Sequence, residues 1–145
     1  MMEIAPLVPA DRERWEVLAR RYKDFYKTVE SDEGYDRTWQ RLLDGRDVHG
    51  IAAHVDGRLV GIAHFLFHST VWMDDSCYLQ DLFVDEAARG HGVARALIER
   101  VEEAARDREC PRLYWQTHQD NATARALYDK VATFGGMIVY VRRLG

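Results

Sequence analysis

Six consecutive residues, Arg89-Gly90-His91-Gly92-Val93-Ala94, carry the most legible chemistry in the chain. Two glycines let a backbone turn tightly and approach a ligand with no Cβ in the way. Where such a loop opens a helix, the unpaired N–H groups of the first turn point at an anion. Arg89 and Arg95 add charged donors suited to phosphate oxygens. The hexapeptide therefore predicts a phosphate or pyrophosphate site, while a plain glycine-softened loop before a helix stays open as the alternative. A Walker A loop is excluded, because Gly92 is followed by Val93 and Ala94 rather than by Lys and then Ser or Thr. The dinucleotide fingerprint fits Gly90 and Gly92 but puts Arg95 where close helix packing calls for Gly or Ala. The five residues between Val84 and Gly90 also exceed the tight turn of that fold.

A second chemical signal lies just upstream. Asp81 alternates with Leu79 and Phe83 on one face of the apolar run Cys77–Val84, with Gln80 on the other face. A carboxylate among apolar side chains costs stability unless it has a partner. The histidines are less informative. His64 and His68 share a strand face, His54 stands beside a hairpin turn and His118 follows an apolar run, yet no pair shows metal-ligand spacing with Cys or carboxylates. No metal is expected, and each histidine reads as structural or exposed. Cys77 and Cys110 form no CxxC pair and read as free thiols, with nothing adjacent to activate Cys77 as a nucleophile.

The elements that must position these groups can be read in order. Glu3–Val8 is an edge strand ended by Pro9, and Asp11 is placed to cap a helix carrying Trp15, Leu18, Ala19, Tyr22, Phe25 and Tyr26 at helical spacing. Thr28–Gly34 reads as an acidic loop and Tyr35–Leu43 as a shorter helix stopped by Asp44 and Gly45. Ile51–Val55, Asp56-Gly57 and Leu59–Phe67 form a hairpin signal, followed directly by a third strand, Cys77–Val84. Strands in succession imply an antiparallel region. Val93, Leu97, Val101, Ala104 and Ala105 then mark an amphipathic helix that Pro111 stops. Leu113–Thr117 is a strand, Asn121 or Asp120 caps a helix running to Lys130, and Met137–Val141 closes the chain as a last strand. The fold class is α/β (α+β), a mixed and mostly antiparallel sheet flanked by about four helices in a single domain, 1–145.

The loop, read with the strand Tyr78-Leu79-Gln80-Asp81-Leu82-Phe83-Val84 before it, resembles the (Gln/Arg)-x-x-Gly-x-(Gly/Ala) signature of the GNAT N-acetyltransferases. Tyr114-Trp115-Gln116-Thr117, Asn121 and Ala124–Tyr128 look like that family's next strand and helix, so the resemblance spans most of the chain from Ile51 onward. Leu-Gln-Asp-Leu-Phe-Val, Leu-Tyr-Trp and Ala-Leu-Tyr-Asp-Lys-Val make it most similar to the branch of yeast histone, polyamine and D-amino-acid acetyltransferases. The resemblance implies a sheet splayed near Val84 and acetyl-CoA as co-substrate. The pyrophosphate would lie over Arg89, Gly90, His91, Gly92, Val93, Ala94 and Arg95, and the pantetheine arm along Leu82, Phe83 and Val84. It also implies that a backbone N–H near Leu82 polarises the thioester carbonyl.

Direct transfer from a thioester to an amine needs a base for the amine and an acid for the departing thiolate. In this family a tyrosine at the position of Tyr128 often serves as the acid, and an aromatic filling the core beside Leu127 is the other reading. Asn121 is a helix cap, or a cap that also bonds the pantetheine amide. Asp81 is the candidate base, directly or through water, or else a structural acceptor for loop N–H groups. His118 is the base to test beside it, and Gln80 is a weaker candidate for substrate contact. Glu30, Asp32, Glu33 and Asp36 occupy a region resembling the family's acceptor-binding wall, attractive to a cationic amine or simply a solvated loop. A polyamine, an amino acid and a lysine side chain all remain open as acceptors. A coenzyme-binding sensor without turnover is the competing functional reading.

Composition narrows the partners. A formal net charge of -4 and a pI near 5.8 argue against nucleic acid, whose phosphates call for a basic surplus. No apolar run approaches the roughly 20 residues of a membrane span. Met1–Ala10 has neither the basic residues nor the apolar stretch of a targeting peptide, so cytoplasmic residence is expected. The family usually ends in two strands and this chain has room for one, which leaves an exposed edge. A homodimer through Met137–Val141, by pairing or exchange of strands, is the expected remedy.

Overall fold

Extended apolar segments pair into one sheet wherever a turn or crossover brings a partner backbone alongside. In this computed structural model, which describes all residues from Met1 to Gly145, those segments are β1 (Met2–Pro6), β2 (His49–Val55), β3 (Arg58–His68), β4 (Ser76–Val84) and β5 (Leu113–Tyr114). They lie side by side in chain order, antiparallel from β1 to β4 and parallel between β4 and β5. Asp56 and Gly57 both have positive φ, 51° and 81°, the two-residue turn whose twist suits the β2–β3 hairpin. The chain divides into two compact units, Met1–Trp115 and Gln116–Gly145.

Within the first unit three helices flank the sheet. α1 (Arg12–Phe25) and α2 (Asp32–Asp44) supply Trp15, Leu18, Tyr35, Trp39 and Leu42 to a core completed by Ala52, Leu59 and Ile62 of the sheet. The Trp15 and Trp39 rings lie 5.0 Å apart at their centroids. α3 (Val93–Asp107) buries Val93, Leu97, Ile98, Val101 and Ala105. It packs so closely over the hairpin that a Cβ on Gly61 would stand 3.0 Å from Val93 and 3.1 Å from Leu97. That approach fixes where the first turn of α3 meets the sheet.

Several expected boundaries move, each for a local reason. β1 begins and ends two residues or fewer from the expected span, because Pro9 starts a short 3-10 turn over Pro9–Asp11. Asp11 does not cap α1 with its side chain. Its carboxylate instead accepts from the Val8 N–H at 2.9 Å and meets His54 Nε2 at 3.0 Å, tying the start of α1 to β2. α2 begins at Asp32 rather than Tyr35, since the Ser31 hydroxyl accepts from the Gly34 N–H at 3.0 Å and caps the helix inside the segment expected to be loop. β5 keeps only Leu113 and Tyr114 of the expected Leu113–Thr117, paired with Cys77 and Tyr78.

β4 departs from simple alternation. Its register pairs His64 with Asp81 but Phe65 with Leu79, so Gln80 is an extra residue on β4, a β-bulge. The expectation that Gln80 and Asp81 occupy opposite faces fails there, because a bulge re-aims the residues beside it.

The second unit contains α4 (Ala122–Val131), whose N-cap Asn121 accepts from the Ala124 N–H at 3.3 Å. Asn121 also donates from Nδ2 to the Thr117 hydroxyl, 3.3 Å away. The expected terminal strand does not form. Met137–Val141 enters no ladder, and all of its side chains are exposed, from 63% at Val139 to 88% at Tyr140. A strand needs a neighbouring backbone to satisfy its N–H and C=O groups, and apolar composition alone does not supply one.

Candidate active site

The anion loop has the form its glycines predict. Gly90 and Gly92 take left-handed φ values of 84° and 78°, and a Cβ at either would meet nothing within 4 Å. Conformation, not crowding, is what demands glycine at both positions. Gly92 is the N-cap of α3 and brings no side-chain oxygen to its first turn, which also lacks any acidic residue. The N–H groups of that turn therefore have no capping side-chain oxygen and no acidic residue of their own turn competing for them, a fit to a pyrophosphate.

The side chains of the loop divide their duties. Val93 is buried as packing, while Gly90, His91 and Arg95 are exposed. Arg95 Nε lies 3.4 Å from Glu99 in a helical pair. Arg89 turns back toward β4. Its Nε donates to the Val84 carbonyl at 3.3 Å and its guanidinium lies over the Phe83 ring, 5.6 Å from the centroid. Arg89 thus stitches the loop to the strand end, a contact that its place in the sequence does not reveal. Asp85 anchors the same junction from the other side. It is buried and receives Arg14 at 2.8 Å, Arg21 at 3.2 Å and the Ala87 N–H at 3.4 Å. Burial pushes the Asp85 carboxyl up, but those donors outweigh it and hold the group below its ordinary value.

Beside this junction, α1, α2, β3 and β4 enclose a cavity of about 170 Å³ whose walls include Trp15, Tyr22, Tyr35, Gln80, Asp81 and Phe83. The bulge is why Gln80 and Asp81, adjacent in sequence, line one cavity. Asp81 Oδ2 lies 2.8 Å from His64 Nδ1, and His64 Nε2 lies 2.9 Å from the indole nitrogen of Trp15. Burial pushes the Asp81 carboxyl up, and the His64 hydrogen bond, the Tyr22 hydroxyl and the Lys23 charge more than offset it, so its pKa is held below the usual value. Asp81 is a carboxylate at neutral pH. Tyr22 is driven strongly upward by burial and by the Asp81 charge, and stays a phenol able to donate. The carboxylate that looked isolated in the strand therefore has partners.

His64, Trp15 and Tyr22 were not singled out as site residues by the sequence. Trp15 and Tyr22 were readable only as a helical stripe, and the His64–Asp81 pairing depends on a bulge whose signal is no more than one polar residue, Gln80, in an apolar run. Cys77 is fully buried, which pushes its thiol up to about 12, so the reading of an inert thiol agrees. Leu82 and Phe83 pair with Ala63 and Ile62 on β3, and Val84 is buried at the strand end. Asn121 and Tyr128 belong to the second unit, where Tyr128 is partly exposed on α4 and Asn121 is its cap. His118 is exposed in that unit. No group of three or more His, Cys, Asp and Glu side chains is placed to hold a metal ion.

Comparison with known proteins gives this geometry its context. The sequence matches the acetyltransferase (GNAT) family over residues 15–134. It is 36% identical over 143 residues to the D-amino-acid N-acetyltransferase HPA3 of Saccharomyces cerevisiae, covering 96% of this chain and 89% of that protein. It is 27% identical to a thialysine N-epsilon-acetyltransferase of Caenorhabditis elegans, covering 89% of this chain and 81% of that one. Among solved structures, AAC(6')-Iy in complex with a CoA-linked bisubstrate analogue superposes with a TM-score of 0.88 at 19% identity, over 100% of this chain and 99% of that one, a likeness of fold. A glycine-capped helix free of acid at its start, joined to a bulged strand that carries a carboxylate, thus occurs in a chain that belongs to the acetyltransferase (GNAT) family and is an N-acetyltransferase drawing its acetyl group from acetyl-CoA.

Proposed function

We propose that the acceptor is a small molecule bearing both an amino group and a carboxylate, an α-amino acid in the simplest case, and that Asp81 receives the proton its amine loses. The observation that carries this reading is the charge lining of the cavity: Asp81 and Glu30 on one hand, Lys23 and Arg41 on the other. A polyamine has no use for the two cations, whereas a zwitterion is complementary to both signs. The name of the yeast relative, a D-amino-acid N-acetyltransferase, is in keeping with this class.

In this proposal the amine enters the cavity and attacks the thioester carbonyl directly. Asp81, ionised and partly open to the cavity, takes up a proton from the attacking nitrogen. The Leu82 backbone N–H is assigned to the carbonyl oxygen, where charge develops. Arg89, Gly90, His91, Gly92, Val93, Ala94 and Arg95 hold the pyrophosphate, and Leu82, Phe83 and Val84 border the pantetheine arm. Tyr128 is the acid for the departing thiolate and Asn121 a further partner for the pantetheine. The family match runs through the sequence of both compact units.

The exposed apolar segment Met137–Val141 is further proposed to pair with a second copy of the chain, giving a homodimer. A reducing cytoplasmic setting is supported by the two free thiols, Cys77 and Cys110. The acceptor class is tested by following thiol release from acetyl-CoA with D- and L-amino acids, polyamines, aminoglycosides and a lysine peptide. Turnover greatest with amino acids, with Arg41→Ala raising their KM about tenfold and leaving that for acetyl-CoA unchanged, is the expected result. Preference for polyamines, unaffected by Arg41→Ala, would reject it.

A further inference from the structure

Three side chains from three elements form a directed chain along the cavity wall: Trp15 of α1, His64 of β3 and Asp81 of β4. An indole nitrogen only donates. The Trp15 Nε1–H therefore requires a lone pair on His64 Nε2, 2.9 Å away, and a proton at that nitrogen would point at the indole N–H. The ring proton of the neutral imidazole must then be on Nδ1, where it donates to Asp81 Oδ2 at 2.8 Å. The direction of both bonds follows from one tryptophan.

Two consequences follow. Nε2 is already occupied, so His64 is not itself the group that removes a proton from substrate. Its other nitrogen fixes one oxygen of Asp81 and leaves the remaining carboxylate lone pairs for the cavity. Trp15 is 1% exposed, so its indole does not swing away, and the His64 side chain is 12% exposed. The bulge at Gln80 places Asp81 opposite His64 in register, so strand pairing and side-chain bonding specify the same contact. A buried polar chain that is fully satisfied holds its members in one arrangement.

We propose that Trp15 and His64 are positioning residues for acetyl transfer: the Trp15 N–H locks His64 as its Nδ1–H tautomer, and that N–H aims the Asp81 carboxylate at the acceptor amine. The proposal rests on Asp81 as the proton acceptor. It predicts that what matters at position 64 is an acceptor facing Trp15 and a donor facing Asp81, not an imidazole. A glutamine amide offers an oxygen and an N–H about as far apart as the two ring nitrogens, and leucine offers neither.

The test combines ring 15N shifts with steady-state kinetics on the full chain. Long-range 1H–15N correlation should show a pyrrole-type Nδ1 and a pyridine-type Nε2 at His64, with that preference lost in Trp15→Phe. His64→Gln should retain most of kcat, while His64→Leu and Trp15→Phe lose about tenfold or more in kcat with the KM for acetyl-CoA unchanged. Should His64→Leu not fold, Trp15→Phe, which keeps an aromatic ring in the core, carries the same comparison. A pyrrole-type Nε2 in the wild type overturns the proposal, as does a His64→Leu or Trp15→Phe variant as active as His64→Gln. Asp81→Asn separates the two levels. If it turns over at the wild-type rate, the base assignment fails and takes the positioning role with it. If Asp81→Asn is crippled while Trp15→Phe and His64→Leu are not, the positioning role alone is wrong.

Discussion

A carboxylate withdrawn from water stays ionised only while its neighbours donate to it, and Asp81 and Asp85 are both in that position. Each is raised by burial and lowered further by its donors, His64 and Tyr22 for the first, Arg14 and the Ala87 N–H for the second. The sign of the resulting pH dependence is fixed. A carboxyl whose folded pKa lies below its unfolded value adds stability above the unfolded value, about 4, and that stability is lost as pH falls through the folded pKa. Asp85→Asn should therefore destabilise the protein by about 2 kcal/mol at pH 7, the worth of hydrogen bonds to a charged group. In denaturant titrations the gap to wild type should close as the pH is taken from 5 to about 2; a gap that stays constant would remove Asp85 from this role. Tyr128→Phe should lower kcat by about 10-fold to 100-fold and leave coenzyme affinity intact, read by transfer assays beside coenzyme binding. A variant with unimpaired kcat would return Tyr128 to the status of a packing aromatic.

Between residues and fold stand the elements that aim them, and here α3 and β4 do most of the positioning. The Gly61 approach sets α3 against the sheet, and Gly92 begins the helix in a conformation that other residues adopt at a cost of about 1–2 kcal/mol. Gly92→Ala should raise the KM for acetyl-CoA several-fold with little change in kcat under saturation, measured by varying acetyl-CoA at fixed amine. An unchanged KM would mean that the loop does not hold the pyrophosphate. The loop, the hairpin turn and the Asn121 cap were legible in the sequence because each depends on local backbone chemistry: glycine at positive φ, Asp-Gly in a two-residue turn, Asn before a helix. The β4 bulge was not. An extra residue in a strand is visible only once the partner strand is in register, and the Ser69–Asp75 connection between β3 and β4 carries no turn signal that sets it. The His64–Asp81 bond was hidden for the same reason. Asp11 and Ser31 show the limit at helix starts: both are short polar side chains at N-cap positions, Asp11 of α1 and Ser31 of α2, and only Ser31 makes the side-chain bond.

At the level of the whole molecule, the family match covers residues 15–134, a stretch of sequence that includes the anion loop and Asp81 in the first unit and Asn121 and Tyr128 in the second. Composition could indicate one domain, yet the fate of Met137–Val141 could not be read from its apolar pattern, because a strand is a property of two backbones. If that segment pairs with a second copy, light scattering after size exclusion should give twice the 16.8 kDa chain mass at micromolar concentration, and removal of the last nine residues should give a monomer. A full-length monomer would reject the pairing. No helix is long and apolar enough to cross a membrane. The central claim, that Asp81 accepts the proton released as an amine takes the acetyl group, is tested most directly by thiol release from acetyl-CoA in wild type and Asp81→Asn with a saturating amino acid. The account predicts amino-acid-dependent release by the wild type and a kcat lower by about 100-fold in the variant, with the KM for acetyl-CoA unchanged. An Asp81→Asn protein that turns over at the wild-type kcat would contradict it.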